Sequence, residues 1–334
     1  MKKIDFLAIG DIVIDAFIKL KDAEEFTNHG TRELCVRFGD KVPYESVTIV
    51  PAVGNSPNAA VAASRLGLNS ALMTNMGDDK NGQDCLRKLK EEKIDPAFIK
   101  IEKNKLTNYH YVLWYKVDRT ILIKHENYNR EWTKTKESED YHSPDWIYLS
   151  SLGEDSLPFH NEISDYLKNN VNTKLAFQPG TFQIKFGTEK LKDIYMRTEI
   201  FFCNLEEAEK ILGIQNKDVL TLSKGIQALG PKMVSISDGP NGAYLYFNDE
   251  LWSIPIYPDI APPLDRTGAG DAFSSTITAG LALGLSPLEA FSWGPINSMS
   301  VVQKVGAQEG LLSKEKIEEY LKKAPKNYKV KKIN

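Results

Sequence analysis

Cysteine is scarce in this chain, which has only Cys35, Cys85 and Cys203. Their odd number and wide spacing fit neither a disulfide framework nor a zinc site, and they favour a reducing compartment. Long apolar runs are missing too, because the sequence contains neither a stretch of eighteen apolar residues nor the apolar core of a signal peptide. We therefore expect a cytoplasmic protein without a membrane partner.

A surplus of charge of either sign is also absent. The 334 residues include 42 Lys and Arg and 45 Asp and Glu, which gives a formal net charge of −3. Because the chain has no excess of positive charge that would attract the phosphates of a nucleic acid, nucleic acid is not expected as a partner. Hydrophobic residues at 42% and charged residues at 26% are ordinary for a folded globular protein. The length predicts two domains, or one large domain with an appended piece.

Short apolar segments alternate with helical ones along most of the chain. Residues 5–14 have the pattern of a buried strand, residues 58–66 form an Ala-rich helical segment, and residues 71–76 are apolar again. The same rhythm continues with four later apolar runs, at residues 146–150, 174–178, 199–203 and 233–237. This order predicts an α/β fold with a mostly parallel central sheet covered by helices on both faces.

Two regions break this rhythm, residues 16–50 and 107–125, where apolar and polar residues alternate at period two. In the second region Val117-Asp118-Arg119 separates two alternating runs, as in a hairpin. We interpret both regions as antiparallel strands of a small inserted β-sheet that forms a lid. The basic carboxyl-terminal tail, residues 322–334, is expected to fray. The α/β core is then expected to comprise residues 1–15, 51–106 and 126–334.

The most informative segment is the glycine-rich turn at residues 265–271, Asp-Arg-Thr-Gly-Ala-Gly-Asp. It opens a helix of small residues that runs from Ala272 toward Leu283. Small residues let the backbone approach a ligand closely, and free N–H groups at a helix start suit an anion. The spacing is neither that of a Walker A loop nor that of a dinucleotide-binding fingerprint. The turn is therefore expected to bind the phosphates of a substrate.

Asp271, at the end of this turn, is a candidate general base. Phosphoryl transfer depends mainly on positioning and charge stabilisation, and a carboxylate that accepts the proton of the attacking hydroxyl contributes roughly 10²–10⁴-fold. The alternative is that Asp271 only caps the helix and the glycines only form the turn. The chemistry of the residues alone leaves both interpretations open.

The turn resembles the second signature, D-T-x-G-A-G-D, of the phosphofructokinase-B or ribokinase-like carbohydrate kinase family, with Arg266 at a variable position. The resemblance implies a ribokinase-like three-layer α/β/α fold and a β-sheet lid. It implies ATP-dependent phosphorylation of a hydroxymethyl group on a small sugar, sugar acid or nucleoside. The catalytic residues that it implies are the anion hole of Gly268, Ala269 and Gly270, and Asp271 as the base.

Two segments resemble the family's sugar-binding parts. Residues 53–67 are similar to its first signature, Gly-Gly-x-x-x-Asn before an Ala-rich helix, with Gly54 and Asn58 matching and Val53 in place of the first glycine. Val53 is expected to narrow or reshape the sugar pocket. Asp15 is similar to the aspartate that holds substrate hydroxyls, and the alternative is a loop aspartate that satisfies its own backbone.

Two further residues are candidates for the same pocket. Asp11 lies in the same Gly10–Asp15 stretch as Asp15. Glu126 follows the second predicted lid strand, where some ribose kinases place a polar pocket residue. Both are expected to contact the substrate.

The motif Asn204-Leu205-Glu206-Glu207 resembles the family's Asn-x-x-Glu motif. The resemblance assigns Glu207 to Mg²⁺ through water and Asn204 to the phosphate region. The alternative is structural, because an asparagine followed three residues later by a glutamate has the pattern of a capping box.

The remaining nucleotide-site candidates also come from the resemblance. Ser237, Gly239 and Gly242 match the family's nucleotide loop, although glycines there would also serve an ordinary turn. Asn297 lies in the segment that lines adenine in relatives. Asp265 and Thr267 lie where many relatives bind a K⁺-like ion, but the family's later serine corresponds to Gly310 here, which leaves that ion an open hypothesis.

Two alternatives remain, a nucleoside kinase of the same family and a non-catalytic sugar or nucleotide sensor. Val53 and the aromatic lid residues would suit a nucleoside, whereas the intact segments at 204–207 and 268–271 argue against a sensor. A redox enzyme is not expected, because Asp11-Ile12-Val13 follows Gly10 in place of a glycine loop. Since some family members pair their lids, a homodimer through the lid is a further hypothesis.

Overall fold

The computed structural model describes residues 2–116, 118–132 and 141–333, so Val117 of the expected hairpin lies outside the described residues. The strands are β1 (Phe6–Ile9), β2 (Val13–Leu20), β3 (Glu24–Asn28), β4 (Thr31–Cys35), β5 (Tyr44–Val53), β6 (Ser70–Gly77), β7 (Ile99–Glu102), β8 (Asn108–Tyr115), β9 (Asp118–Leu122), β10 (Trp146–Leu149), β11 (Lys174–Phe177), β12 (Thr198–Asn204), β13 (Met233–Ser237), β14 (Ala243–Phe247), β15 (Glu250–Ile254) and β16 (Lys331–Lys332). The helices are α1 (Asn55–Arg65), α2 (Lys80–Glu91), α3 (Leu157–Asn169), α4 (Thr181–Phe186), α5 (Lys192–Arg197), α6 (Leu205–Leu212), α7 (Val219–Gln227), α8 (Ala269–Ala282), α9 (Pro287–Val301) and α10 (Lys314–Lys322).

The central sheet contains ten strands in the order β16-β15-β14-β13-β12-β11-β10-β1-β6-β7. The pairs from β13 to β7 are parallel, and β14, β15 and β16 are added antiparallel at one edge. The inner strands are continuous apolar runs because both of their faces are covered, and all four residues of β1 are fully buried. The prediction of a mostly parallel sheet is confirmed.

Helices cover both faces of the central sheet, as the alternating side chains of β1 show. Phe6 and Ala8 belong to a core cluster shared with α1, α2, α8, α9 and α10. Leu7 and Ile9 belong to a second cluster, shared with α3, α5, α6 and α7. The expected three-layer α/β/α architecture is thereby confirmed.

A separate four-stranded sheet, called the small sheet below, has the order β5-β2-β8-β9. Its outer pairs are antiparallel as expected, but β2 and β8 are parallel, so the prediction of antiparallel strands throughout was wrong. The reason is the chain path, since β2 follows β1 and β8 follows β7, and both strands lead out of the central sheet in the same direction. β3 and β4 form an additional two-stranded sheet.

Two local expectations were also wrong. The strand expected over residues 5–14 is split, since β1 ends at Ile9 and β2 begins at Val13. Between the two strands the backbone of Gly10 passes so close to Ser56 that a Cβ atom would lie only 2.2 Å from Ser56 Oγ. The tail does not simply fray, because β16 pairs with the edge strand β15 and so gives its backbone hydrogen-bond partners. In the described part of the chain, no helix is long and apolar enough to cross a membrane.

Candidate active site

The carboxyl ends of β1, β10 and β11 meet the start of α8 at one edge of the central sheet. Ligands bind at this edge in parallel α/β sheets, because strand ends and helix starts converge there. Gln178 follows β11, and its Nε2 lies 3.3 Å from Oδ1 of Asp271 in the first turn of α8. Asp11 follows β1, and its Oδ2 accepts a 2.8 Å hydrogen bond from the N–H of Gly153, just beyond β10. The fold therefore brings four distant segments to one place.

The Asp271 carboxylate is surrounded by three side-chain amides. Asn55 Nδ2 donates to Oδ1 at 2.7 Å, and Gln178 Nε2 approaches the same oxygen at 3.3 Å. Asn58 Nδ2 donates to Oδ2 at 2.9 Å. Oδ1 is thus held by two donors and Oδ2 by one, which leaves Oδ2 the more available oxygen for a further proton.

Two of these amides are themselves oriented by neighbours. The Gln178 oxygen accepts hydrogen bonds from the Tyr148 hydroxyl and from Ser274 Oγ, the latter at 2.9 Å, so its nitrogen is turned toward Asp271. The Asn58 oxygen accepts a 3.0 Å hydrogen bond from Gln308 Nε2, which turns its nitrogen toward Asp271 as well. Such supporting contacts fix the carboxylate with little freedom.

The surroundings change the acidity of Asp271. Burial raises the pKa of this carboxyl above its ordinary value, and the charge of Asp15 acts in the same direction. The hydrogen bonds from Asn58, Asn55 and Gln178 oppose the rise, because they stabilise the charged form. Asp271 is therefore a stronger proton acceptor than a fully solvated aspartate.

The start of α8 offers unused backbone donors. Gly268 precedes the helix with φ 79°, a left-handed conformation, and a Cβ atom there would lie 2.3 Å from the Cβ of Ala307. The N–H groups of Gly270 and Asp271 have no acceptor among the described residues, as is usual for the first turn of a helix. These N–H groups form a suitable site for an anion.

A cavity of about 270 Å³ adjoins this helix start. Ser237, Gly239 and Gly242, the residues of the predicted nucleotide loop, all line it. Gly242 has φ 99°, and a Cβ atom there would lie 2.2 Å from the carbonyl oxygen of Ile254. We call this space the glycine-lined cavity; its other lining residues are Pro240, Ala243, Ile256, Tyr257, Asp259, Pro263, Arg266, Ala269, Gly270, Phe273, Pro295, Ser298, Met299 and Val302.

Asn297 has a different place from the one expected. It is fully buried, its Nδ2 donates to Thr276 Oγ1 at 2.7 Å, and its Oδ1 accepts from the N–H of Leu312 at 2.9 Å. The amide thus connects α9 to α8 through Thr276 and to the segment before α10 through Leu312. The neighbouring Ser298, which lines the glycine-lined cavity, replaces Asn297 as the candidate for a ligand contact.

Asn204 and Glu207 form the capping box that was the structural alternative. Glu207 N–H donates to Asn204 Oδ1 and Asn204 N–H donates to Glu207 Oε2, each at 2.9 Å. Burial raises the pKa of the Glu207 carboxyl, and the charge of Asp271 contributes to the rise. The cap therefore holds Glu207 within electrostatic reach of Asp271, with one carboxylate oxygen left over.

Asp265 and Thr267 mainly stabilise their own loop. Asp265 Oδ1 accepts from the N–H and the hydroxyl of Thr267, at 2.9 and 2.7 Å, and Oδ2 accepts from the N–H of Gly306 at 3.0 Å. At Gly310, where the family has a serine, a Cβ atom would lie 2.4 Å from the carbonyl oxygen of Ser300. These hydrogen bonds tie Asp265 to its own loop, and the monovalent cation predicted here stays a prediction.

Asp15 lies on the small sheet opposite His110 of the adjacent strand. His110 Nδ1 is 3.5 Å from Asp15 Oδ1. Asp15 Oδ1 and His110 Nε2 are both buried without a hydrogen-bond partner in the part of the chain that the structure describes. Asp15 therefore does not satisfy its own loop, which was the alternative to a ligand contact.

Asp11, in contrast, is fully occupied. It pairs with the guanidinium of Arg130, receives the N–H of Gly153, and lies 3.1 Å from His125 Nδ1. Burial alone would raise the pKa of Asp11, but His125 and Arg130 outweigh it and hold the pKa below its ordinary value. Arg130 is paired a second time, with Asp155. Asp11 is thus part of an ion-pair network and has no oxygen left for a substrate.

Glu126 and Val53 complete the predicted acceptor residues. Glu126 forms a 2.8 Å ion pair with Lys124 and lines a second cavity, together with Asp79, Thr107 and Tyr109. Val53 is buried at the end of β5. The structure thus places Glu126 beside α2 and the small sheet, in a cavity that does not include Asp15 or Asp271.

The motifs that converge here match a known family. The profile of the pfkB family carbohydrate kinases covers residues 31–314. This chain belongs to that family. The predicted family resemblance is therefore confirmed, and this pfkB kinase is an ATP-dependent sugar or nucleoside kinase.

Two relatives of this pfkB kinase share about a quarter of the aligned residues with it. An uncharacterized sugar kinase of Archaeoglobus fulgidus is 24% identical over 252 residues, which cover 74% of this chain and 97% of that one. A nucleoside kinase of Methanocaldococcus jannaschii is 23% identical over 273 residues, or 81% and 85% of the two chains.

Solved structures share the fold. Arabidopsis thaliana ribokinase, complexed with ribose and ATP, aligns with a TM-score of 0.78 and 15% identity over 96% of this chain and 99% of that chain. A putative ribokinase II from E. coli, in complex with ATP and Mg²⁺, gives 0.74 and 19%, over 97% and 100%. The ribokinase-like fold of this pfkB kinase is confirmed.

Sequence reasoning missed four side chains of the site: Asn55, Gln178, His110 and Arg130. Asn55 lies one helical turn before Asn58, and this spacing could have indicated it. Gln178 directly follows a predicted strand, at the ligand-binding edge of a parallel sheet. His110 and Arg130 gave no local signal, because their partners Asp15 and Asp11 lie about a hundred residues earlier in the chain.

Proposed function

We propose that this kinase transfers the γ-phosphoryl group of ATP to a hydroxymethyl group of a small sugar or sugar derivative, with Asp271 as the general base. The observation that carries the proposal is the position of Asp271. Its carboxylate is held by three amides, beside the unused N–H groups at the start of α8. A fixed acceptor for a proton and donors for a phosphoryl group thus lie in one helical turn.

The chemical step follows from this arrangement. Asp271 Oδ2 accepts the hydroxyl proton while the hydroxyl oxygen forms a bond to the γ-phosphorus. The bond from that phosphorus to the oxygen bridging to the β-phosphate breaks, and ADP leaves. The N–H groups of Gly268, Ala269, Gly270 and Asp271 are the proposed donors to the charge on the transferred group, and those of Gly270 and Asp271 have no other acceptor among the described residues.

The glycine-lined cavity is the proposed site of the nucleotide. Its apolar members, such as Phe273, Pro295 and Met299, suit a base, while Ser237 and Gly242 leave room for ribose and phosphates. A solved structure of similar fold, the E. coli putative ribokinase II, is in complex with ATP and Mg²⁺.

Glu207 is the proposed residue for Mg²⁺, acting through water, with Asn204 beside the phosphates. The residues fit this ion, because Mg²⁺ bound with phosphates needs only one or two carboxylates and keeps several waters. The capping box leaves one Glu207 oxygen for such a water. The chemistry that the ion supplies when bound is neutralisation of phosphate charge.

On the acceptor side, Asp15 is the proposed ligand of substrate hydroxyls. Its Oδ1 is buried and unpaired among the described residues, and carboxylates accept hydroxyl hydrogen bonds strongly. Gly54 has φ 119°, and a Cβ atom there would lie 2.8 Å from the Asp11 carbonyl oxygen, so it keeps the chain close to the strand end. Asn58 gives one amide hydrogen to Asp271 and keeps the second for the acceptor.

Replacing Asp271 by Asn tests the base. Because the amide cannot accept the proton but keeps the shape, ADP formation should fall at least about a hundredfold while ATP affinity is retained. Rates are measured by coupled ADP release and affinity by calorimetric titration. Asp193→Asn, at an exposed aspartate on α5, is the matched control. Unchanged turnover in Asp271→Asn would contradict the assignment.

Two further features accompany the proposal. The outer side of the small sheet exposes Val47, Ile49, Tyr111 and Leu122, and a second copy presenting the same face would cover them, so a homodimer is proposed. The mass of the protein in solution tests the homodimer.

The free cysteines, of which Cys85 and Cys203 are buried, suit the reducing cytoplasm that we propose as the compartment.

A nucleoside acceptor is the second candidate. The Methanocaldococcus jannaschii relative named a nucleoside kinase favours it. Comparison of adenosine with ribose and fructose in the same ADP-release assay decides between the two. A sensor without activity would release no ADP with any of them.

A further inference from the structure

A polar cluster on the small sheet has no role in the transfer step described above. Asp15 and His110 are opposite each other in the parallel pair β2–β8. The His110 ring also packs edge-on against His125, with centroids 5.5 Å apart, and His125 packs against Phe182 at 5.7 Å. The imidazole of His110 is thus held from the strand and from the loop after β9.

Two atoms of this cluster lack partners although they are buried. Asp15 is 8% exposed, and neither its Oδ1 nor His110 Nε2 has a hydrogen-bond partner in the described ranges. Leaving such a group unpaired destabilises the protein, because its lost contact with water is not replaced. Two neighbouring hydroxyl groups of a ligand would satisfy both atoms, since a hydroxyl donates to the carboxylate and can donate to or accept from the ring nitrogen.

The charges around the cluster disfavour an anionic ligand. The Arg130 side chain is only 3% exposed and is committed to Asp11 and Asp155. Asp15 and Asp271 add two carboxylates; burial raises the pKa of Asp271, and the charge of Asp15 acts in the same direction. A carboxylate or phosphate on the acceptor beside Asp15 and Asp271 would meet this negative field, because the guanidinium of Arg130 is already paired.

We propose that His110 determines specificity: together with Asp15 it binds two adjacent hydroxyl groups of an uncharged acceptor, while the surrounding carboxylates reject sugar acids and sugar phosphates. This inference rests on the proposed function, because it names the acceptor class of the same reaction. His110 contacts the acceptor away from the transferred phosphoryl group, so it acts on selection and not on proton transfer.

The experiment measures ADP release with three kinds of acceptor. The neutral diols are D-ribose and adenosine, their analogues lacking one hydroxyl are 2-deoxy-D-ribose, 2′-deoxyadenosine and 3′-deoxyadenosine, and the anions are D-gluconate and D-fructose 6-phosphate. The wild type is compared with His110→Ala, with His110→Gln, which keeps one hydrogen-bonding group, and with the control His142→Ala at an exposed histidine. Asp271→Asn gives the background.

The wild type should use a neutral diol and lose about 10- to 100-fold in kcat/KM when one of its paired hydroxyls is removed. In His110→Ala this ratio should shrink to within about threefold, His110→Gln should restore part of it, and His142→Ala should leave it unchanged. Because each ratio compares two acceptors on one protein, partial loss of folded enzyme cancels.

The contrary outcomes are distinct. If no acceptor gives ADP above the Asp271→Asn background, the proposed function fails and this inference with it. If turnover depends on Asp271 but His110→Ala keeps the full discrimination, only the role of His110 is overturned. If D-gluconate or D-fructose 6-phosphate is used better than the neutral diols, the uncharged acceptor class is overturned.

Discussion

The glycine-lined cavity beside the start of α8 is bordered by backbone at Gly242 and Gly270, whereas Asp15 and His110 on the small sheet present buried polar side chains. Recognition by backbone N–H groups suits phosphates, because the phosphates of ATP are the same whichever acceptor is used. Side-chain recognition suits the acceptor, because one substitution changes which hydroxyls are satisfied. The difference indicates that the two sides respond differently to mutation, the first through main-chain geometry and the second through charge and hydrogen bonding.

The largest effect is expected from Asp11→Asn on the acceptor side. The change leaves the buried Arg130 without one of its two carboxylates, and breaking a buried ion pair lowers the free energy of unfolding by about 3–5 kcal/mol. The KM for ATP should stay the same in the protein that remains folded. Urea unfolding checks the stability, with Asp193→Asn as the exposed control. Equal losses in both variants would contradict the network.

Gly268→Ala tests the main-chain geometry of the turn before α8. Its φ of 79° and the Cβ of Ala307 at 2.3 Å should together lower the free energy of unfolding by about 3 kcal/mol and reduce turnover. Gly284 has a similar φ of 87° but open space around it, so Gly284→Ala should cost only about 1 kcal/mol. The two variants are compared by thermal and urea unfolding. If they lose the same stability, contact with Ala307 is irrelevant.

The stability of the protein should also respond to pH through His160, a buried residue of α3. Burial lowers the pKa of His160 from 6.5 to about 4, so below pH 6.5 the unfolded chain binds a proton that the folded protein does not. This contribution is complete above pH 6.5 and is lost as the pH falls toward 4, by about 3 kcal/mol. His160→Gln should flatten the loss between pH 6.5 and 4, measured by urea unfolding. The same slope in His160→Gln would mean that other groups cause it.

The smallest effect is expected at Gln178, which positions Asp271. Gln178→Leu removes an amide donor that stabilises the charged carboxylate, so the pKa of Asp271 should rise and the acid limb of the kcat/KM profile should move to higher pH. Turnover near neutral pH should fall about tenfold, with the KM for ATP unchanged. The pH–rate profile is compared with that of Gln215→Leu at an exposed loop residue. An unmoved acid limb would leave Gln178 a purely structural role.

Much of the fold could be predicted from the sequence because the signals are local. The apolar runs of β1 and β10 and the Ala-rich α1 gave the parallel sheet and its helical cover. The strand pairing of the small sheet could not be predicted, since β2 and β8 lie far apart in the chain and their relative direction depends on how both leave the central sheet. The short β16 has no pattern of its own and forms only because β15 offers an open edge.

The site divides in the same way. Asp271, the turn before it and the nucleotide loop are contiguous segments, so the sequence alone determined the family, the ATP-dependent chemistry and the candidate base. The partner amide Asn55 is 216 residues away from Asp271, and only tertiary contact pairs them. Likewise, the tertiary structure decided that Asn297 packs α8 against α9, that Asp11 is neutralised by Arg130, and that His110 faces Asp15. The conformation of a backbone turn depends on residues adjacent in the sequence, whereas the partner of a side chain depends on how distant segments pack together.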